Sequence, residues 1–440
     1  MSDSKKEQPP KPPEHVEVYF DVRDGGYWYR LNGRYVKLKK ADIQLHFRSM
    51  KLRDDIYHNG IREIDWPLWH AQNKRLIDYA GSLAGHRVGM FKDSAGRAFL
   101  VTDEAGGVWN APEKKTVEPV WFKKFIEQLL QGEQSQHFCY WLAVALKSLR
   151  DGDFRPGQVV VLAGPSQCGK SLLQAIITEI FGGRSAGPFR YMMAETQFNQ
   201  DLVCAEHWQI EDPASTTDIR TRRLFGCKLK ECTVNRDFSI HQKGKDALTL
   251  PLFRRVTLSV NEEPENLAVV PPLDASIMDK LFLFKCSPAD VGADRKATWA
   301  MIQAEIPIIR SWLLKAFKTV PKAMQDDRFG IKAWHHPDLF LELTNLSPEM
   351  RLLNIIDHVK WGKEDGDVPI TWSEKALTIE EELRQSRWGF AVEKLLHYSS
   401  ACGTYLAKLA KLLPERVTKV VNHGIVTWVI NPPKQSKEKL

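Results

Sequence analysis

The stretch VVVLAGPSQCGKSLL, residues 159–173, decides how the rest of this chain is read. Four apolar residues, Val159 to Leu162, give the pattern of a buried strand. Gly164-Pro165-Ser166-Gln167-Cys168-Gly169-Lys170-Ser171 then matches G-x-x-x-x-G-K-[ST], a loop that cradles phosphate with its backbone N–H groups. Glycines suit that task because the chain must turn its amides inward around the oxygens. A helical pattern follows from Lys170, so the positive end of a helix faces the same anion. In this reading Gly164 through Ser171 bind ATP or GTP, Lys170 reaches the β- and γ-phosphates, and Ser171 places its hydroxyl on Mg²⁺.

Hydrolysis needs a carboxylate at the end of a neighbouring strand. CAEHWQIEDPAS, residues 204–215, supplies Glu211 and Asp212 together: one to hold the metal's water shell, with Asp212 and Ser171 as Mg²⁺ partners, the other to polarise the attacking water. LFRRVTLSVNEEPE, residues 252–265, follows with a β-branched strand that ends on Asn261. An amide there can hydrogen-bond both a γ-phosphate and a water without adding charge. Between the two lies a hairpin pattern with a tip at His241-Gln242-Lys243-Gly244-Lys245. His241, Lys243 and Lys245 there suit contacts to a nucleic-acid backbone, which need donors and no base reading.

The remaining sequence sets the organisation. The chain has 440 residues, 43% hydrophobic and 27% charged, with a formal net charge of +7. That length implies several domains, and the charge permits a polyanionic partner without requiring one. Seven scattered cysteines without a CxxC, one inside the phosphate loop, argue against a disulfide framework or zinc site and fit a reducing cytoplasm. His335-His336 has no Cys or carboxylate at ligand spacing. No run of apolar residues is long enough to span a bilayer.

Residues 1–14 read as a disordered lead-in. Residues 15–118 read as a β-rich, aromatic domain with turn signals at Arg23-Asp24-Gly25 and Ala95-Gly96; the acidic residues Asp21, Asp24, Asp54 and Asp55 do not form a nucleotidyl-transfer triad. Residues 119–150 read as a helical linker or collar, with Phe138, Trp141, Leu142, Ala145 and Leu149 on one face. The α/β ATPase spans 151–290, a helical connection 291–345, and a C-terminal module 346–440. That module combines helices with two short strands around Asn422-His423-Gly424, the pattern of a winged helix, with a generic helical cap as the alternative.

Taken in order, GPSQCGKS, QIED, the HQKGKD hairpin with LPLFRR, and VTLSVNEEPENL resemble the superfamily 3 helicases, in particular the primase–helicase type of phages, viruses and mobile elements. The resemblance covers residues 120 to 290 and extends more loosely beyond. It implies an α/β fold with an AAA+-like core on a parallel sheet, and a homo-oligomeric ring, usually a hexamer. Such a ring moves 3′ to 5′ along single-stranded DNA, with the hairpin lysines in its channel; duplex DNA is a further expected partner and a membrane is not. The family couples subunits through an arginine that enters the neighbour's site. Here Asp279-Lys280 stands at that position, and a lysine lacks the guanidinium's fork. Lys280, Arg254, Arg255, Arg222 and Arg223 are the candidate trans-acting residues. A primase activity is not carried over. The alternatives to a helicase are a DNA-bound ATPase switch that oligomerises without unwinding and, more remotely, a small-molecule kinase or metabolic ATPase.

Overall fold

The computed structural model describes residues 16–93, 95–109, 117–211, 219–241, 247–271, 273, 276–362 and 370–433. The chain divides into two compact units. The first comprises residues up to 213 together with 223–261 and 279–334; the second comprises 214–222, 262–278 and 335–440.

The centre of the first unit is a five-stranded, wholly parallel sheet. Its strands are β1 (Val159–Ala163), β2 (Ser185–Ala186), β3 (His207–Glu211), β6 (Arg255–Val260) and β7 (Leu281–Lys285), in the spatial order β2-β3-β6-β1-β7. β1 and β6 are buried at every position, as expected for a central parallel strand with both faces covered. Helices α1 (Val120–Leu129), α2 (Glu133–Asp151), α3 (Lys170–Ile180) and α4 (Arg295–Ala316) share one apolar core with it. Phe122, Phe125, Trp141, Leu142, Ile176, Ile180, Phe282, Ile306 and Leu313 all belong to that core. The helices expected as a linker, and the segment expected to connect beyond residue 290, are therefore integral to the sheet's packing, which continues to Ile331.

The antiparallel hairpin of β4 (Asp237–Ile240) and β5 (Leu248–Pro251) is present, in the register Asp237↔Pro251 to Ile240↔Leu248. Its tip, 242–246, lies outside the described residues. The N-terminal region holds the expected strands Val18–Asp21, Gly26–Leu31 and Arg34–Leu38, paired antiparallel, and a separate hairpin of Gly89–Lys92 with Ala98–Val101. It is less purely β than its composition suggests: helices Lys40–Ser49 and Trp66–Lys74 bring Ile43, Phe47, Leu68 and Ala71 against the first sheet.

Glu206 stitches this region to the parallel sheet. It is fully buried, accepts from the Gly85 N–H at 2.9 Å and pairs with Arg184, whose Nε lies 2.9 Å from Oε2 and whose Nη2 contacts Oε1.

In the second unit, helices α5 (Pro337–Asn345), α6 (Pro348–Lys360), α7 (Ala376–Gln385), α8 (Gly389–Leu395) and α9 (Ala401–Leu412) precede the hairpin of β9 (Val417–Asn422) and β10 (Ile425–Ile430). A short strand, β8 (Trp372–Glu374), pairs on the other side of β10, giving the order β8-β10-β9. The hairpin loop is His423-Gly424, with φ of 49° and 79°, the two left-handed residues of a two-residue turn. Leu352, Ile356, Ile379, Leu383, Val392, Leu406 and Ile430 form a core of their own.

Candidate functional site

The site forms at the carboxyl edge of the parallel sheet. β1 runs into the loop at Gly164, whose N–H donates to the Val260 carbonyl at 3.3 Å. No larger residue fits there: a Cβ on Gly164 would stand 2.4 Å from the backbone oxygen of Cys286. Gln167 and Gly169 take positive φ, 61° and 118°, so the loop curls before α3 begins. These features, a close-packed first glycine and a left-handed turn at the second, are what a backbone cradle for phosphate requires.

Lys170 is 8% exposed. Its Nζ donates to the carbonyls of Gly164 and Pro165, both at 2.7 Å, and to Asn261 Oδ1 at 3.2 Å. That last contact joins two residues ninety-one positions apart. The sheet register explains it. Ala163 lies opposite Val260, and Ser259 lies opposite Glu211, so β1, β6 and β3 end level and deliver Gly164, Asn261 and Glu211 to one edge. One cavity of about 660 Å³ is lined by Ser166, Gln167, Gly169, Lys170, Ser171, Glu211 and Asn261.

Beneath that edge His207 ties β3 to α3 and β6. Its Nδ1 is 2.8 Å from Thr178 Oγ1 on α3, and its Nε2 is 2.9 Å from Thr257 Oγ1 on β6. His207 is fully buried, and burial alone pushes its pKa down to about 3. In the loop, a hydrogen bond with Cys286 and the Lys170 ammonium nearby hold the Cys168 thiol down at about 6. Cys168 Sγ lies 3.9 Å from Lys170 Nζ.

Oxygen donors for a hard cation are present in the Ser171 hydroxyl and the exposed Glu211 carboxylate; Asp212, the expected Mg²⁺ partner, lies outside the described residues. Among the described residues no cluster of three or more His, Cys, Asp or Glu is placed to bind a metal.

The arginines expected at the reaction centre are elsewhere. Arg254 and Arg255 sit at the opposite end of β6 from Asn261 and are 5% and 2% exposed. Arg254 Nε donates to the Cys232 carbonyl at 2.7 Å and its guanidinium lies over Phe238. Arg255 donates to the Arg254 carbonyl at 2.8 Å and lies 4.6 Å over the Phe253 ring. Both side chains are packed in the core of their own unit. Lys280 stands just before β7, also at the amino edge, paired with Asp279 at 2.6 Å. Arg222 is buried too, with Nη2 donating to the Val270 carbonyl at 3.0 Å; the Arg223 side chain is outside the described residues. His241 is exposed at the end of β4, its N–H bonded to Asn199 Oδ1 at 2.8 Å. Lys243 and Lys245 lie outside the described residues.

Sequence reasoning missed one wall of the cavity. Val291, Arg295, Thr298 and Trp299 line it together with Leu172. The available signal was the i, i+3, i+4 spacing of Arg295, Thr298 and Trp299 at the start of a long helix that follows the last sheet strand.

The sheet, loop and level strand ends define the class: a phosphate-loop α/β fold. Among solved structures, the apo C-terminal region of NrS-1 is similar over nearly the whole length. Its TM-score is 0.55 at 13% identity, covering 95% of this chain and 96% of that one. The A-form apo structure of the same region gives a TM-score of 0.54 at 13% identity, covering 95% and 97%. At that identity the similarity speaks for the fold alone. The SCCmec type IV Cch active helicase aligns at a TM-score of 0.31 and 10% identity, covering 91% of this chain and 74% of that one, a level that carries no weight. No family model and no curated protein matches the chain. Among the described residues no helix is long and apolar enough to cross a membrane.

Proposed function

We propose that this protein is an ATP-dependent DNA helicase or translocase of the superfamily 3 type, serving the replication of a phage or mobile element. The observation that carries the proposal is the meeting of Lys170, Glu211 and Asn261 around one cavity from three parallel strands. Lys170 and the loop amides bind the phosphates of ATP. Ser171 and the acidic pair Glu211-Asp212 hold Mg²⁺ and polarise the attacking water, and Asn261 orients that water against the γ-phosphate. A Mg²⁺ held by these residues would supply charge neutralisation at the phosphates.

In sequence the β4–β5 hairpin falls between the strand of Glu211 and the strand of Asn261; Lys243 and Lys245, outside the described residues, together with His241 at the end of β4, are the residues assigned to single-stranded DNA. A ring of identical subunits would pass the strand along those tips. The second unit, read as a winged helix, offers Lys411 of α9 and Lys419 of β9 on one cleft for duplex backbone contacts.

ATP hydrolysis by wild type and Lys170→Ala, with and without single-stranded DNA and with mass in solution recorded, tests this. A DNA-stimulated rate, lost in Lys170→Ala and accompanied by ATP-dependent assembly, is expected. Hydrolysis indifferent to DNA refutes the motor. One observation favours the second reading, an oligomerising ATPase switch: of the candidate arginines, Arg222, Arg254 and Arg255 are buried and bonded to backbone carbonyls of their own chain.

A further inference from the structure

The cavity at the phosphate loop is lined by more than the loop and the strand ends. Leu172, Val291 and Trp299 give it apolar surface, and Arg295 and Thr298 line it as well. We infer that this apolar wall is a nucleobase subsite, in which the planar base of a nucleoside triphosphate lies against the Trp299 indole. The inference rests on the reading of the loop as an ATP site and names what that site does with the rest of the ligand.

Three observations support it. First, the wall is tied to the loop it would serve. The Ala289 N–H donates to the Cys168 carbonyl at 3.1 Å, and the Asp290 N–H donates to Gln128 Oε1 at 3.1 Å. Asp290 then turns the chain by accepting from the Gly292 N–H at 3.0 Å. Gly292 has a φ of 76°, and a Cβ there would collide with Thr298 Oγ1 at 2.2 Å, so the segment is closed tightly onto the start of α4.

Second, Trp299 is anchored and still available. It packs against the main apolar core while remaining partly exposed, and it lines the cavity. An aromatic ring held on one side and open on the other is a stacking platform at little entropic cost. Arg295, Thr298 and Trp299 fall on one helical stripe, so the platform comes with a hydroxyl and a positive charge on the same wall.

Third, the volume fits. About 660 Å³ is well above what a triphosphate alone would fill and lies within the range of sites that enclose a whole small ligand. The apolar surface of Leu172, Val291 and Trp299 would be wasted on phosphate and suits a heteroaromatic ring.

The test is calorimetric titration of the full-length protein with Mg-ATP and, separately, with inorganic tripolyphosphate, which carries the anion and lacks the base. Wild type should bind ATP the more tightly. Trp299→Ala should weaken ATP about tenfold, the loss of one base–aromatic stack, and leave tripolyphosphate unchanged. Trp299→Phe keeps a ring on the same anchor and should retain most of the ATP affinity.

Unchanged ATP affinity in Trp299→Ala, or equal losses for both ligands, overturns the subsite. A wild type that binds both ligands equally overturns it as well while leaving the phosphate loop standing. A wild type that binds neither refutes the nucleotide reading itself, and the subsite with it.

Discussion

Protonation of His207 should loosen the parallel-sheet core, and the size of the effect can be worked from the structure. The ring is fully buried between two threonine hydroxyls, and its pKa is pushed from an ordinary 6.5 down to about 3 by burial. A neutral imidazole can donate at one nitrogen and accept at the other, which satisfies Thr178 and Thr257 together. An imidazolium would bring a charge into the core. Because the folded pKa lies below the unfolded one, the neutral form's contribution is fully present above about pH 6.5 and is lost as pH falls toward 3.

At pH 5 the unfolded ring is almost wholly protonated and the folded ring is not, so the loss is about 2 kcal/mol, from RT ln(1 + 10^1.5). His86, partly buried and stacked on Phe91, has its pKa pushed down to about 4 by burial and adds a similar loss over the same interval. Glu17, Asp65, Asp93 and Asp151 have lowered pKa values and begin to matter only at lower pH.

Urea unfolding of wild type and His207→Asn at pH 7.5 and pH 5 measures the term. The variant is expected to be less stable at pH 7.5, because a shorter side chain cannot bridge both threonines. Its further loss on going to pH 5 should be smaller than that of wild type by about 2 kcal/mol. An identical pH dependence in the two proteins would refute the reasoning, whatever the cost of the substitution at pH 7.5.

Glu206→Gln should destabilise the first unit by about 3 kcal/mol, because it leaves Arg184 without its buried anion; thermal or urea unfolding reads this directly, and a change under 1 kcal/mol would contradict it. Gly164→Ala should cost about 1–3 kcal/mol through the clash with the Cys286 backbone and should weaken ATP binding, whereas Gly187→Ala, with nothing within 4 Å of an added Cβ, should do neither. The Cys168 pKa is lowered from 9.0 to about 6, so wild type should gain stability relative to Cys168→Ser as pH rises from about 6 toward 9, and parallel unfolding curves across that interval would sink the assignment.

Local chemistry explains why some of the site was readable in the sequence. The loop from Gly164 to Ser171 is a contiguous backbone device, so its glycines, lysine and hydroxyl must appear at fixed spacing, and they do. Asn261 was visible because it follows a β-branched strand and Glu211 because it ends a strand that alternates Trp208 and Ile210 with polar residues, and strand ends in a parallel sheet share an edge. The hairpin between them showed itself in alternation and a polar tip, and the turn at His423-Gly424 in two residues that accept left-handed backbone. The arginines misled for the opposite reason. Arg254-Arg255 before a strand has the charge a neighbour's nucleotide wants, and nothing in the local pattern says that aromatic rings and backbone carbonyls bury both.

The sequence by itself thus determined the phosphate loop, the strands that carry its partners and the order in which they occur. Tertiary structure alone decided which strands are neighbours. The order β2-β3-β6-β1-β7 places Asn261, distant in sequence, within 3.2 Å of Lys170, and it is register across a sheet, not spacing along a chain, that sets such a distance. It also decided that α4 belongs to the core and turns Trp299 toward the loop. That outcome depends on how helices pack to bury Ile306 and Leu313, a long-range burial that no local period encodes.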